Sequence, residues 1–333
     1  MSEPLPQPET TTTPLLSCLP SPWAALAIAI LLIAYPLAMN ALGQPFYIGL
    51  GSRVLILALA ASALNLALGY GGMVSLGHAA FLGAGAYTVA ILAGMGVNQA
   101  WVVLPTAFAV AALGAGLTGA ISLRTKGVYF IMISLAFAQL FYYLAVSLPS
   151  LGGDDGLPLT ERSTVPGLKL ADDLSFYYFV LATAALMFFL LYRLVSSRFG
   201  RALVATRENE RRMAAIGYPV FRLKLVAWTL SGGIAGLAGG LLANLSMGVT
   251  PHTLTWHQSG ILLVMAILGG SGYFWGGLTG AAIFLILEET ISAYTEHWNL
   301  ALGGLLLFIV LAAPNGVMSF KAFRVVASWR RKP

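Results

Sequence analysis

The 333 residues carry 18 lysines and arginines against 12 aspartates and glutamates, a formal net charge of +6, yet only 9% of the chain is charged and 58% is hydrophobic. Soluble domains hold about 25% charged residues, so the composition excludes a water-soluble globular fold and points to a chain dissolved in lipid. A single cysteine, Cys18, excludes an intrachain disulfide and a thiolate metal cluster.

The first residues, Met1 to Pro20, are rich in proline and threonine, carry Glu3 and Glu9 and hold no basic residue. They lack the positive leading segment of a secretory signal and read as a disordered tail over residues 1–22. Apolar segments follow at Trp23 to Met39, Val54 to Leu68, Ala79 to Gly96, Trp101 to Leu123, Val128 to Leu148 and Phe176 to Leu194. Beyond a charged loop come Leu225 to Met247, Gly260 to Leu268, Trp275 to Leu287 with an extension to Tyr294, and Leu300 to Val317. Residues 54–123 and 225–287 contain no Asp, Glu, Lys or Arg at all. A membrane span takes about 20 residues, so the chain has room for about ten helices over 23–320 and for no separate enzymatic domain. The expected fold is an all-α polytopic membrane bundle.

Short loops rich in Lys and Arg stay in the cytoplasm. Eight basic residues lie between Arg193 and Lys224, and Lys321, Arg324, Arg330, Arg331 and Lys332 form a basic tail over 321–333. Both regions, and with them both termini, are expected to be cytoplasmic. The acidic segment Asp154 to Asp173 then falls on the far side, and Arg124 and Lys126 return inside. Basic residues gathered in loops explain the positive charge by orientation and leave no nucleic-acid surface.

If Lys224 and Lys321 share a side, an even number of crossings separates them, whereas hydropathy finds three blocks. The block containing Gly269, Gly270, Gly272, Gly276 and Gly277 is therefore expected to break between Leu268 and Gly277, because glycine weakens helices. Such a break either faces a path through the bundle, where protein or water satisfies its backbone, or forms a plain loop at the membrane surface. Gly232, Gly236 and Gly240 form a row at helical spacing that lets helices approach closely. A short echo relates Leu68-Gly-Tyr-Gly-Gly to Leu268-Gly-Gly-Ser-Gly.

Two constellations stand out. In Gly69 to Tyr87, glycines free a turn, Ser75 is a candidate helix cap, and Ser75, Gly77 and His78 open the next span. His78 either lines a path, donates to a neighbouring carbonyl or sits at the headgroup level. The second is Ser197 to Gly217. With Thr206 as N-cap, Glu208 and Glu210 in the positive first turn, Met213 and Ile216 as apolar anchors and Gly217 as the stop, it reads as a charged helix of about ten residues. It either docks in a partner or simply sets topology. His252 and His257 flank Trp256 without a nearby acid, so an intramembrane enzyme is disfavoured.

Four segments in order carry a resemblance: Ser75-Leu-Gly-His-Ala-Ala-Phe; Leu123-Arg-Thr-Lys-Gly-Val-Tyr-Phe through Gln139; Thr206-Arg-Glu-Asn-Glu with Ala215-Ile-Gly; and Leu268-Gly-Gly-Ser-Gly-Tyr-Phe-Trp-Gly-Gly. Over roughly residues 50–320 the chain resembles the M-type permease subunit of branched-chain amino acid ABC importers. The resemblance implies a bacterial or archaeal cytoplasmic-membrane subunit, a homologous second permease, two cytoplasmic ATPases and an external binding protein. It makes the loop 195–224, through Arg207, Glu208, Asn209, Glu210 and Gly217, the coupling element for an ATPase. Related permeases import urea and short amides. The chain has no phosphate-binding loop of the Gly-x-x-x-x-Gly-Lys-Ser/Thr kind, so ATP and Mg are expected on the ATPases and no cofactor on this chain. Gly269, Gly270 and Gly272, together with Ser75, Gly77 and His78, are the expected hinge or path elements. A passive channel or secondary transporter is the alternative; the lack of acids in both charge-free stretches argues against ion coupling.

Overall fold

Long runs of apolar residues without charge leave the backbone no partner but itself in lipid, and helices are the local answer. The computed structural model describes residues 22–165, 170–312 and 316–319. The expected tails lie outside it, except for Pro22 at the start of the first helix. Twelve α-helices occur among the described residues: α1 (Pro22–Ala41), α2 (Pro45–Asn65), α3 (His78–Gly94), α4 (Ala100–Ser122), α5 (Val128–Ser147), α6 (Asp173–Ser196), α7 (Arg198–Glu208), α8 (Glu210–Ala215), α9 (Val220–Ser246), α10 (Trp256–Gly269), α11 (Gly276–Ser292) and α12 (Trp298–Ala312). A π-helical turn, Leu66–Tyr70, prolongs α2. Five helices are long and apolar enough to cross a membrane: α2 with its π turn, α4, α5, α6 and α9. α3, α10 and residues 30–41 of α1 are apolar but shorter.

Burial sorts these helices into an inner and an outer set. Of the five long helices α2 and α9 are the most enclosed, whereas α4, α5 and α6 turn Leu113, Leu117, Met132, Leu186 and Phe189 outward. In water such an outer surface would be untenable; in lipid it is solvated. Without a hydrophobic force between helices in lipid, close approach of backbones carries the packing. The expected glycine row serves this purpose: a methyl on Gly232 or Gly236 would strike the methyl of Ala115 or Ala111 on α4. On the adjoining face of α9, Gly239 lies against the Leu82 carbonyl of α3, and Gly85 of α3 against the Gly236 carbonyl.

The expected break is present. α10 stops at Gly269, Gly270 and Gly272 take φ of +116° and +88°, and α11 starts at Gly276. The two helices form an antiparallel hairpin in which Gly280 rests on the Met265 carbonyl and Gly276 on the Gly270 carbonyl. α11 runs antiparallel to α2 as well, with Gly277 against Ser62 and Glu288 beside Arg53. After α12 the chain returns to the break, where Gly316 lies against Gly270. Four helices, α9 to α12, thus occupy the interval in which hydropathy finds three blocks, because the glycine-bearing block is split into α10 and α11.

The opposite end is tied together by short pairings. β1 (Leu157–Pro158) pairs antiparallel with β2 (Gly248–Val249), and the Asn244 side-chain oxygen accepts the Ser163 N–H at 2.7 Å. Arg162 joins Asp173 at 2.7 Å and covers the Phe176 ring at 4.7 Å. Asp172 caps α6 by accepting the Ser175 N–H.

Three local expectations are corrected. Thr206 is no N-cap: it lies inside α7, and its hydroxyl donates to the Ala202 carbonyl at 2.8 Å. The charged loop is two helices rather than one, because Asn209 is extended (φ −151°, ψ 95°) and caps α8 itself, accepting the Arg212 N–H at 2.9 Å. Ser75 does not cap α3; Gly77 is the capping residue, and its N–H goes to the Ser75 hydroxyl at 2.9 Å.

Candidate functional site

The charged loop, the Gly69 turn and the glycine break meet at one end of the bundle. Ser197 opens α7, Asn209 bends the chain into α8, and Gly217 (φ +88°) closes the element in a conformation open to glycine. Met213 anchors α8 in the core, whereas Ile216, taken from the sequence as a second anchor, is 64% exposed. Arg211, Arg212 and Ile216 form an uncovered surface with Tyr218.

The residues singled out here have distinct surroundings. Arg207 reaches back and donates to the Gly69 carbonyl, with its stem against Gly72. Glu208 is exposed. Glu210 is held by Lys224 at 3.1 Å and Lys126 at 3.2 Å, which joins the α4–α5 turn to the loop and to the start of α9. Partial burial opposes its ionisation, but hydrogen bonds and charge from Lys224 and Lys126 outweigh burial and hold the carboxyl below its ordinary value. Between these elements lies a cavity of about 260 Å³ whose lining includes Lys126, Thr206, Arg207, Glu210 and Lys224.

One buried side chain connects the turn to the break. The Asn65 side-chain oxygen accepts the Gly272 N–H at 2.9 Å, and its nitrogen donates to the Tyr273 carbonyl at 2.8 Å. Beside it, Gly69 lies directly against the Gly272 backbone. A continuous path therefore runs from Arg207 through the π turn to Gly272. Gly69 and Gly272 belong to the two echoing segments, which turn out to be neighbours in space.

His78 occupies a different place, fully buried at the start of α3. The Ser231 hydroxyl donates to the Ala63 carbonyl, so His78 donates from Nε2 to the Ser231 oxygen at 2.7 Å. The ring meets Trp228 edge-on at 4.8 Å and Phe81 at 5.6 Å. Its Nδ1 is buried without a hydrogen-bond partner among the described residues. Gly77 lies against the Ser134 carbonyl of α5, and the Leu76 N–H donates to the Ser134 hydroxyl. His78 thus ties α3 to α9 and α2, apart from the loop and the break. His252 and His257 are ring neighbours at 6.5 Å, and no group of three or more potential metal ligands occurs among the described residues.

Sequence reasoning passed over Asn65, Ser231 and Arg53. The first two were visible as polar side chains inside charge-free apolar stretches, where each needs a partner. Arg53 stands one residue ahead of the first stretch and lies inside α2, paired with Glu288 at 3.4 Å.

Comparison with known proteins agrees with this architecture. The family model described as branched-chain amino acid transport system / permease component matches residues 46–311. The high-affinity branched-chain amino acid transport system permease protein LivM of Salmonella typhimurium is 29% identical over 314 residues, covering 85% of this chain and 73% of that protein. Its Escherichia coli K12 counterpart is 28% identical over 319 residues, covering 88% and 73%. The probable branched-chain amino acid transport permease protein LivH of Methanocaldococcus jannaschii is 34% identical over 113 residues, covering 32% of this chain and 33% of that protein. No solved structure matches the chain. A multi-pass membrane bundle matched over most of its described length by this family model is a transporter component rather than an enzyme, and the chain belongs to the branched-chain amino acid transport system permease family.

Proposed function

We propose that the chain is one of two permease subunits of an ABC importer for branched-chain amino acids. An external binding protein delivers the ligand, and two ATPases on the cytoplasmic side supply the energy. The observation that carries this reading is the path from Arg207 to Gly69 and, through Asn65, to Gly272. The exposed surface of α8 seats in an ATPase, with Arg207, Glu208, Asn209, Glu210 and Gly217 forming the coupling element. ATP-driven closure of the ATPases moves this element, and the π turn passes the motion to the break between α10 and α11. The end of the bundle bearing α7 and α8 is then cytoplasmic, as are both termini. The bundle crosses the membrane about ten times, with the short helices α3, α10, α11 and α12 packed within it.

Uptake of labelled leucine and labelled urea, in cells with and without the chain and with and without ATP at a maintained proton gradient, tests the reading. ATP-dependent leucine uptake that disappears on deletion supports it; loss of urea uptake alone keeps the machinery and changes the ligand. A lost flux that survives ATP depletion overturns it in favour of a channel or secondary transporter. The double substitution Glu208→Arg and Glu210→Arg is expected to uncouple hydrolysis from transport or prevent ATPase assembly. Unchanged uptake with unchanged complex recovery removes the loop from the mechanism.

A further inference from the structure

Arg53 is a charged residue inside a membrane-length apolar helix, which lipid does not tolerate unless protein or water meets the charge. It lies in α2, within the candidate span Pro45–Tyr70. Its partner is Glu288 of α11, and the pair makes one contact, Nη2 to Oε1, at 3.4 Å. A guanidinium offers five donors and a carboxylate two acceptor oxygens, so this single contact leaves most of both groups without a protein partner among the described residues. The side chains stay 44% and 20% exposed, on the outside of this chain's own bundle.

We infer that Arg53 and Glu288 form a binding site for the zwitterionic head of an α-amino acid. Arg53 takes the carboxylate through two parallel N–H bonds, and Glu288 takes the ammonium group. Entry of the zwitterion exchanges one loose ion pair for two better-formed ones. No net charge is added, so no uncompensated charge is left beside apolar helices. A neutral solute such as urea has no comparable means of opening the pair. This inference rests on the proposed importer reading, and the apolar side chain of the ligand then meets the apolar helices around the pair.

The position of the pair also suits a transport site. α2 carries Arg53 at one end and Asn65 near the other, and α11 runs from Gly276 at the break to Glu288 near its end. From Arg53 to Asn65 the rise is about 18 Å at 1.5 Å per residue. Each charge therefore rides on a helix whose far end is fixed at the break that Asn65 clamps. A shift of α11 against α2 at the break changes the spacing of the pair.

The test uses the complete importer, with both permeases, ATPases and binding protein, reconstituted in vesicles and assayed for leucine uptake and ATP hydrolysis. Arg53→Gln and Glu288→Gln are each expected to lower uptake about tenfold or more, while complex recovery and the hydrolysis stimulated by leucine-loaded binding protein persist. The exchange Arg53→Glu with Glu288→Arg keeps the attraction between α2 and α11 but reverses the charges, and is expected to leave uptake impaired. Wild-type uptake in either single variant, or its recovery in the exchanged variant, reduces the pair to a clamp between helices and overturns the site. Where a single variant fails to assemble, the exchanged variant decides. Absence of ATP-driven leucine uptake in the wild type is a different failure: it overturns the importer reading itself.

Discussion

The Asn65 side chain closes the gap in the helical backbone at Gly272, accepting the Gly272 N–H at 2.9 Å from a position 207 residues earlier in the chain. The same amide group satisfies the Tyr273 carbonyl. A buried backbone group freed by a helix break needs such a partner, and here one side chain reaches both the Gly272 N–H and the Tyr273 carbonyl. Asn65→Leu is expected to destabilise the protein by about 1–3 kcal/mol, because it strands the buried Gly272 N–H, whereas the Tyr273 carbonyl keeps the Gly276 N–H at 3.1 Å. Asn65→Asp keeps the acceptor and loses the donor, and is expected to fall between Leu and wild type. Thermal unfolding in detergent measures both; equal melting of Asn65→Leu and wild type contradicts the clamp.

His78 and Ser231 form a second buried pair, with the hydroxyl committed onward to Ala63. Ser231→Ala is expected to cost about 1–3 kcal/mol by leaving the Nε2 donor buried without an acceptor. Combined with His78→Phe, which removes the donor and keeps a ring against Trp228, much of that loss is expected to return. The melting temperatures of the two single variants and the double form a cycle that reads the coupling directly.

Close packing of α9 is expected to show when an alanine substitution in it is compared with one at an open site in α10. Gly236→Ala places a methyl against that of Ala111, and the overpacking is expected to cost about 1–3 kcal/mol. Gly260, inside α10, has open space around it. Gly260→Ala is therefore expected to be neutral or to stabilise by up to about 1 kcal/mol through helix propensity. Thermal unfolding of the two variants side by side distinguishes a packing role from a general intolerance of substitution.

Glu210 sets the pH response of the loop. Its carboxyl is held below its ordinary value by Lys224 and Lys126, against the opposing effect of partial burial. A depressed folded-state value contributes stability above the ordinary glutamate value, and that contribution is lost as pH falls through the lowered value. Amide exchange of α8, taken relative to the intrinsic rate at each pH, is accordingly expected to be flat from neutral pH down to the ordinary glutamate range and to accelerate below it. In Glu210→Gln the acid step is expected to vanish and exchange to be faster throughout. An acid step that persists in Glu210→Gln assigns the effect to another group.

Membrane character, the helical class, the extent of the charged loop and the break near Gly270 were all legible in the sequence. Each is a local property: apolar length dictates a helix in lipid, and clustered glycine at 269–277 interrupts one. Parity asked for a split of the glycine-bearing block, and α10 and α11 are its two halves. The internal form of the loop was misread, because whether Thr206 or Asn209 caps a helix depends on which hydroxyl or amide finds a free N–H once α7 is in place. Only the tertiary structure decided the partners. Asn65 meets Tyr273 across 208 residues, His78 meets Ser231 across 153 and Arg53 meets Glu288 across 235. A polar side chain in lipid must be satisfied, and the sequence says which side chains have that need. Helix packing alone determines where each need is met, because it brings glycine-lined backbones close enough for a short side chain to reach across.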